Sequence, residues 1–343
     1  MKRLLALALF CAAGVCVIAQ PPQVPSQTAP SQPASQTAQP PQAPSQTAPT
    51  PGDQPAPTPT FRTRAAGIRI DVLVTDNERP VSGLTAKDFT LTDSGVAQDI
   101  EVSSLRDLPV DVIIVLDTST SLREEGLRHL VRATDTLLAS LQPQDRAALV
   151  TFSQVVVIRS GLTPEHARVR DIVSELKIDG TTSAIDAVFA ATTLQTQADR
   201  SSLLLVFSDG IDTASWLRAD QVLATVRRSA VVPYAVVLNS EVTATGGTRI
   251  PYRMRPSQPV NDEPFDGTES FLRDLVLTGG GVFMPAQDTR GLERRFAEAL
   301  DSFRQRYVIT YAPRGVEGAG FHPVNIKVKG GHRVRARPGY LMP

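Results

Sequence analysis

Cysteine is nearly absent from the chain: of 343 residues only Cys11 and Cys16 carry a thiol, and both lie near the N-terminus. A fold lacking them holds no disulfide, so its stability must come from a packed core or a bound metal. An excess of one charge is also missing, since 35 Lys and Arg balance 35 Asp and Glu. A chain whose main partner is nucleic acid carries a basic surplus, so the balance argues against that class. Histidine is scarce, with His129, His166, His322 and His332 scattered along the sequence. Each reads as a surface or internally satisfied side chain. No phosphate-binding loop occurs, because the Gly279 to Gly281 run lacks the Lys and Ser/Thr such a loop needs and reads as a turn. Core material is ample at 41% hydrophobic residues, enough for one large domain and a smaller one.

A long apolar run occurs at the start, Leu4 to Ala19 behind Lys2 and Arg3. It is long for a secretory h-region and short for a bilayer span. Val17 and Ala19 suit the positions before a cleavage, so residues 1–19 are expected to be a signal peptide. An uncleaved anchor is the alternative, and Val15 before Cys16 argues against lipoprotein processing. The expected location is exported: periplasmic, envelope-associated or secreted, with membrane contact only through an uncleaved N-terminal segment. Residues 20–60 are almost wholly Pro, Gln, Ser, Thr and Ala, with Asp53 the single charge. Such a tract cannot bury enough apolar area to offset the entropy of ordering, which predicts a disordered linker.

Strand-like alternation begins with Ile68, Ile70, Val72 and Val74 and returns at Phe89, Leu91, Ile100 and Val102. From Val110 the texture becomes strands alternating with helices. Apolar runs at Val112–Leu116, Leu203–Phe207 and Val231–Leu238 are separated by amphipathic stretches such as Leu127–Leu141 and about Ser215–Arg228. After Arg306 three more strand patterns follow, at Tyr307–Tyr311, Val324–Val328 and Val334–Ala336. The expected fold class is α/β, a doubly wound and mainly parallel sheet inserted into or flanked by a small β-sandwich of N- and C-terminal strands. The divisions are an N-terminal β segment over 61–107, the α/β domain over 108–304 and a C-terminal β segment over 305–343. Arg333, Arg335 and Arg337 alternate with Val334 and Ala336, which predicts a basic solvent face on a protected edge strand.

The run VDVIIVLDTSTS, Val110–Ser121, places a carboxylate and two hydroxyls, Asp117, Ser119 and Ser121, where a buried strand gives way to a loop. In open α/β sheets ligands bind at that end. Leu203–Phe207 runs into Ser208, Asp209 and Gly210, which brings a second carboxylate to a strand's carboxyl end. The loop Asp179–Ser183 offers further hydroxyls after Gly180. Two carboxylates and several hydroxyls, with neither Cys nor His, suit a hard cation, Mg²⁺, Mn²⁺ or Ca²⁺. Asp212 and Ser215 read as a cap for the helix that follows them.

DTSTS at Asp117–Ser121, GTT at Gly180–Thr182 and SDG at Ser208–Gly210 resemble the three parts of the metal-ion-dependent adhesion site of von Willebrand factor type A domains. The resemblance covers roughly Val110 to Phe303. GLTAKDFTLTD at Gly83–Asp93 and ARPGY at Ala336–Tyr340 further resemble the exported bacterial proteins related to that family. The resemblance implies metal-site roles for Asp117, Ser119, Ser121, Thr181 and Asp209. Thr181 is preferred to Thr182 because the family's ligand closely follows the glycine turn, and Thr120 departs from a position where the family often has Gly. It further implies a non-enzymatic module that binds a protein ligand through an acidic residue given to the metal. The rival readings are a metal-dependent hydrolase, an intracellular subunit serving a motor ATPase, and an envelope protein whose metal site is vestigial. The polar insertion Asn239–Asp266 leaves a strand's carboxyl end, and Arg249, Tyr252, Arg253 and Arg255 in it are candidates for selecting an acidic partner.

Overall fold

A computed structural model of the chain describes residues 67–195, 199–209, 212–238 and 267–342. The expected signal peptide, the Pro-rich linker and the insertion 239–266 lie outside the described residues.

The chain opens with five strands, β1 (Ile68–Asp76), β2 (Arg79–Pro80), β3 (Phe89–Asp93), β4 (Val96–Ala97) and β5 (Glu101–Ser104). The alternating region follows as β6 (Val110–Asp117), α1 (Arg123–Ala139), β7 (Arg146–Phe152), β8 (Val156–Thr163), α2 (His166–Ser174), α3 (Ala184–Thr192) and β9 (Ser201–Ser208). It continues through α4 (Ala219–Arg228), β10 (Val231–Leu238), α5 (Thr268–Gly279), β11 (Val282–Ala286) and α6 (Leu292–Arg304). Four strands close the chain: β12 (Tyr307–Tyr311), β13 (Gly320–Val328), β14 (Arg333–Arg335) and β15 (Gly339–Met342).

The central sheet has the order β11-β10-β9-β6-β7-β8, parallel except for the β7–β8 hairpin. Every residue of β6 and of β9 is buried, because helices cover both faces. Period two sorts their side chains: Val112, Ile114 and Leu116 meet α1, α2 and α6, whereas Ile113 and Val115 meet α3, α4 and α5. From β6 the chain winds one way through β7 and β8, then returns to place β9 on the other side. The winding therefore reverses between β6 and β9, where an open α/β sheet forms a crevice at its carboxyl edge.

Strands from the two ends of the described chain pair with each other, β1 with β12 and β14, β5 with β12 and β3 with β13. One sheet has the order β14-β1-β12-β5, with Ile70 opposite Ile309 and Val74 opposite Val334. The other is β15-β13-β3-β4, with Leu91 opposite Ile326. Their inner faces share one core, to which β1 gives Ile70, Val72 and Val74, and β12 gives Tyr307, Ile309 and Tyr311. This is a β-sandwich built from both ends of the described chain, as the fold class expected.

Several local expectations need correction. β1 is buried on both faces from Ile70 to Thr75, not half-buried, because its second face lies against the α/β region, where Ser201 Oγ donates to Asp71 at 2.7 Å. α4 starts at Ala219 rather than near Ser215, since the amides of 213–217 are held by Thr182, Asp212 and Asp186. Arg337 does not belong to a solvent face: it donates to the carbonyls of Arg227 and Ser229 at 2.8 and 2.7 Å. Arg333 and Arg335 do face outward, on the edge strand β14, and share Glu78 at 2.7 and 3.1 Å. The glycine run after α5 is a turn with a packing reason: Gly280 has φ +69°, and a Cβ on Gly281 would lie 1.6 Å from Pro233 O. Among the described residues no helix is long and apolar enough to cross a membrane.

Candidate metal centre

Asp117 is the last residue of β6 and is fully buried. Burial of a bare carboxylate is costly, and hydrogen bonds partly offset it. Ser119 N donates to Oδ1 at 3.0 Å and Ser208 Oγ donates to Oδ2 at 2.9 Å. Beyond it, Ser119 Oγ and Ser121 Oγ share a hydrogen bond of 2.8 Å, and Ser121 Oγ donates to Asp209 Oδ1 at 3.0 Å. Asp117, Ser119, Ser121 and Asp209 thus stand in one connected cluster, at the ends of the two strands between which the winding reverses. Asp117 and Ser119 are buried, Asp209 is half-buried and Ser121 is exposed, so the cluster grades outward to solvent.

Thr181 is exposed and Thr182 is buried. Their loop is pinned beside the cluster: Asp179 N donates to Thr118 O at 2.9 Å, and Thr120 donates to Gly180 O from its amide at 3.2 Å and from Oγ1 at 3.1 Å. Gly180 has φ +63°, and a Cβ there would stand 2.9 Å from Gln154 Cβ. Only glycine brings the loop this close to the β7–β8 turn without strain. Thr120, the departure from the family pattern, thereby becomes a clamp between two loops. Thr118 does the same on the other side, donating from N and Oγ1 to Phe152 O at 2.8 and 3.1 Å.

Both carboxylates sense burial, and Asp209 also senses the charge of Asp117. Burial pushes the Asp117 carboxyl above the usual range, with hydrogen bonds from Ser119 and Ser208 acting in opposition. Burial first, and then the charge of Asp117, push Asp209 up to about 6. Two neighbouring acids, both raised by burial and one raised further by the charge of the other, are relieved by a cation between them. Among the described residues no three or more His, Cys, Asp or Glu gather as a ligand group. The oxygen set is instead two carboxylates completed by neutral hydroxyls, a donor chemistry that fits a hard divalent ion. Asp117, Ser119, Ser121 and Asp209 could hold it, with Thr181 on the adjoining loop.

Two contributions escaped the sequence. Ser208 orients Asp117, although SDG had drawn notice only to its aspartate. Asp212 and Ser215 do cap a helix, but it is the preceding one in space and sequence, α3: Ile185 N donates to Asp212 Oδ2 at 2.9 Å and Asp186 N to Ser215 Oγ at 3.1 Å. Asp186 returns the bond by accepting from Trp216 N and Leu217 N, each at 2.9 Å. A chain-neighbour rule could not find this exchange, which crosses about thirty positions.

No curated protein matches the sequence. Solved structures that resemble it include an aerotolerance-related membrane protein from Bacteroides fragilis NCTC 9343, at 14% identity over 56% of this chain and 98% of that one, with a TM-score of 0.41. A von Willebrand factor type A protein from Catenulispora acidiphila matches at 12% identity over 74% and 73% of the two chains, TM-score 0.45. Proximal thread matrix protein 1 from the mussel byssus, with a zinc-occupied MIDAS motif, matches at 14% identity over 63% and 50%, TM-score 0.46. The family model for the von Willebrand factor type A domain matches residues 112–211, which span β6 to the end of β9 and hold every residue of the cluster. Over residues 112–211 the chain therefore carries a von Willebrand factor type A domain.

Proposed function

We propose that the chain is a non-enzymatic, exported binding protein that takes hold of a protein partner through a divalent cation. Asp117, Ser119, Ser121, Thr181 and Asp209 would hold the ion, Mg²⁺ or else Mn²⁺ or Ca²⁺. The observation that carries this reading is the connected cluster Asp117, Ser119, Ser121 and Asp209 at the reversal of the sheet, graded from buried to exposed. Hydroxyl ligands fill coordination positions without cancelling charge, so a bound ion supplies a positive centre able to accept a carboxylate from outside. The buried side fixes the ion, and the exposed side leaves the partner its approach. The loops around the cluster offer no His, Cys or Lys within 117–121, 179–183 or 212–217, which favours binding over hydrolysis.

Export rests on the basic start and apolar run of residues 1–19, and the Pro-rich tract 20–60 would serve as a spacer. The α/β domain over 108–304 would be the binding unit, with 61–107 and 305–343 as its β base. The test is a pull-down from a native envelope extract with the full chain as bait. Capture of a defined protein with Mg²⁺, lost with chelator and lost with Asp117→Ala, is expected. An identical captured set in all three conditions contradicts the reading.

A further inference from the structure

Trp216 is the chain's sole tryptophan, and it is 94% exposed. A docked indole buries about 150–250 Å², so this side chain forgoes a large apolar burial in the free protein. Its backbone is nevertheless among the most firmly held in the loop region. Thr213 N and Ala214 N donate to Thr182 O at 2.9 and 3.0 Å. Ser215 N donates to Asp212 Oδ1 at 3.0 Å, and the Trp216 and Leu217 amides are held by Asp186. All five successive amides, 213 to 217, are thus engaged while the indole projects into water.

The location adds a second, independent reason to see an anchor. The Trp216 loop descends from Asp209 and is stitched to Thr182, the neighbour of Thr181, so it belongs to the loop cluster that carries the oxygen ligands. Val155, 65% exposed, stands on the adjoining β7–β8 turn beside Gln154, against which Gly180 rests. A rigid aromatic presented on a pre-ordered loop loses little entropy on docking, which is the usual character of a binding hot spot.

We infer that Trp216 is the apolar anchor of the partner-binding surface, and that the partner presents a carboxylate with an aromatic or aliphatic side chain close to it in sequence. This rests on the reading that a cation at Asp117 and Asp209 accepts a partner carboxylate. One polar bond to an ion gives little discrimination among the many acidic segments available; the indole supplies it by burying the neighbouring apolar group.

The sole tryptophan makes the test direct, because its emission reports this residue alone. The full chain is titrated, with Mg²⁺ present, with short capped peptides that carry one Asp and one Phe at varied spacing. Matched peptides have Ser for Phe or Asn for Asp. An Asp–Phe peptide is expected to shift Trp216 emission to the blue and shield it from acrylamide. Its Ser counterpart should bind roughly tenfold or more weakly. Trp216→Ala should erase that difference while leaving the Mg²⁺ affinity, read by calorimetry, unchanged. Carboxylate-dependent binding that is equal for the Phe and Ser peptides, with unshifted emission, overturns the anchor and leaves the metal-bridge reading standing. A blue shift on raising protein concentration alone makes a second copy the occupant and also overturns it. Absence of any carboxylate-dependent binding sinks the metal-bridge reading and the inference together.

Discussion

Asp209 connects the site to pH. Its carboxyl is raised from 3.8 to about 6 by burial and by Asp117. An acid whose folded value lies above its unfolded one stabilises the fold while protonated. In metal-free protein its contribution is therefore present below about pH 4 and lost as pH rises through about 6. A cation needs the ionised form, so its affinity runs the opposite way. We expect the Mg²⁺ affinity to rise through pH 6 and level off above it, with binding at pH 5 roughly tenfold weaker than on the plateau. A flat affinity from pH 5 to 8 in calorimetric titrations rules this out. Ser208→Ala removes a donor that orients Asp117 and should weaken Mg²⁺ about 10-fold or more, with no loss of fold by circular dichroism. Asp117 and Asp209 were legible because apolar runs end just before them, and Ser119 and Ser121 because they follow Asp117 at alternate positions. Ser208 was not, since its role depends on which neighbouring strand lies beside β6.

At the scale of elements, the sequence displayed the strands of the central sheet well, because burial on both faces leaves continuous apolar runs in β6, β9 and β10. It displayed helix starts poorly. The helix was expected to start near Ser215, yet the amides of 213–217 are taken by Thr182, Asp212 and Asp186, which delays α4 to Ala219. Asp186→Ala strips the acceptor from the Trp216 and Leu217 amides. It should cost about 1–3 kcal/mol in chemical denaturation, and the loosened loop should lower the fluorescence anisotropy of Trp216. Unchanged stability together with unchanged anisotropy contradicts the clamp. The short strands β2, β4 and β15 carry too few residues for a periodic signal, and only their partners define them.

At the scale of the molecule, the pairing of strands from both ends of the described chain could be guessed from matching textures, but the junction with the α/β region could not. Arg306 is fully buried there. It donates to Gly280 O at 2.8 Å and to Tyr234 Oη and Asp71 O, each at 3.3 Å, while the Asp71 carboxyl is raised by burial. Such a residue reads from sequence as one more arginine at the end of an amphipathic helix. Arg306→Ala leaves three buried acceptors to find new partners and should lower the unfolding free energy by about 3 kcal/mol or more; a change under about 1 kcal/mol would mean that the junction is held by other contacts.

The proposed role of the oxygen cluster at the reversal of the sheet is to bind a divalent cation. Isothermal titration of the full chain with Mg²⁺ at pH 7.5 tests it most directly, with Asp117→Ala run in parallel. A single saturable site is expected in the wild-type chain and no measurable site in the variant. Equal binding by both, or none by the wild-type chain with Mg²⁺, Mn²⁺ or Ca²⁺, would contradict it.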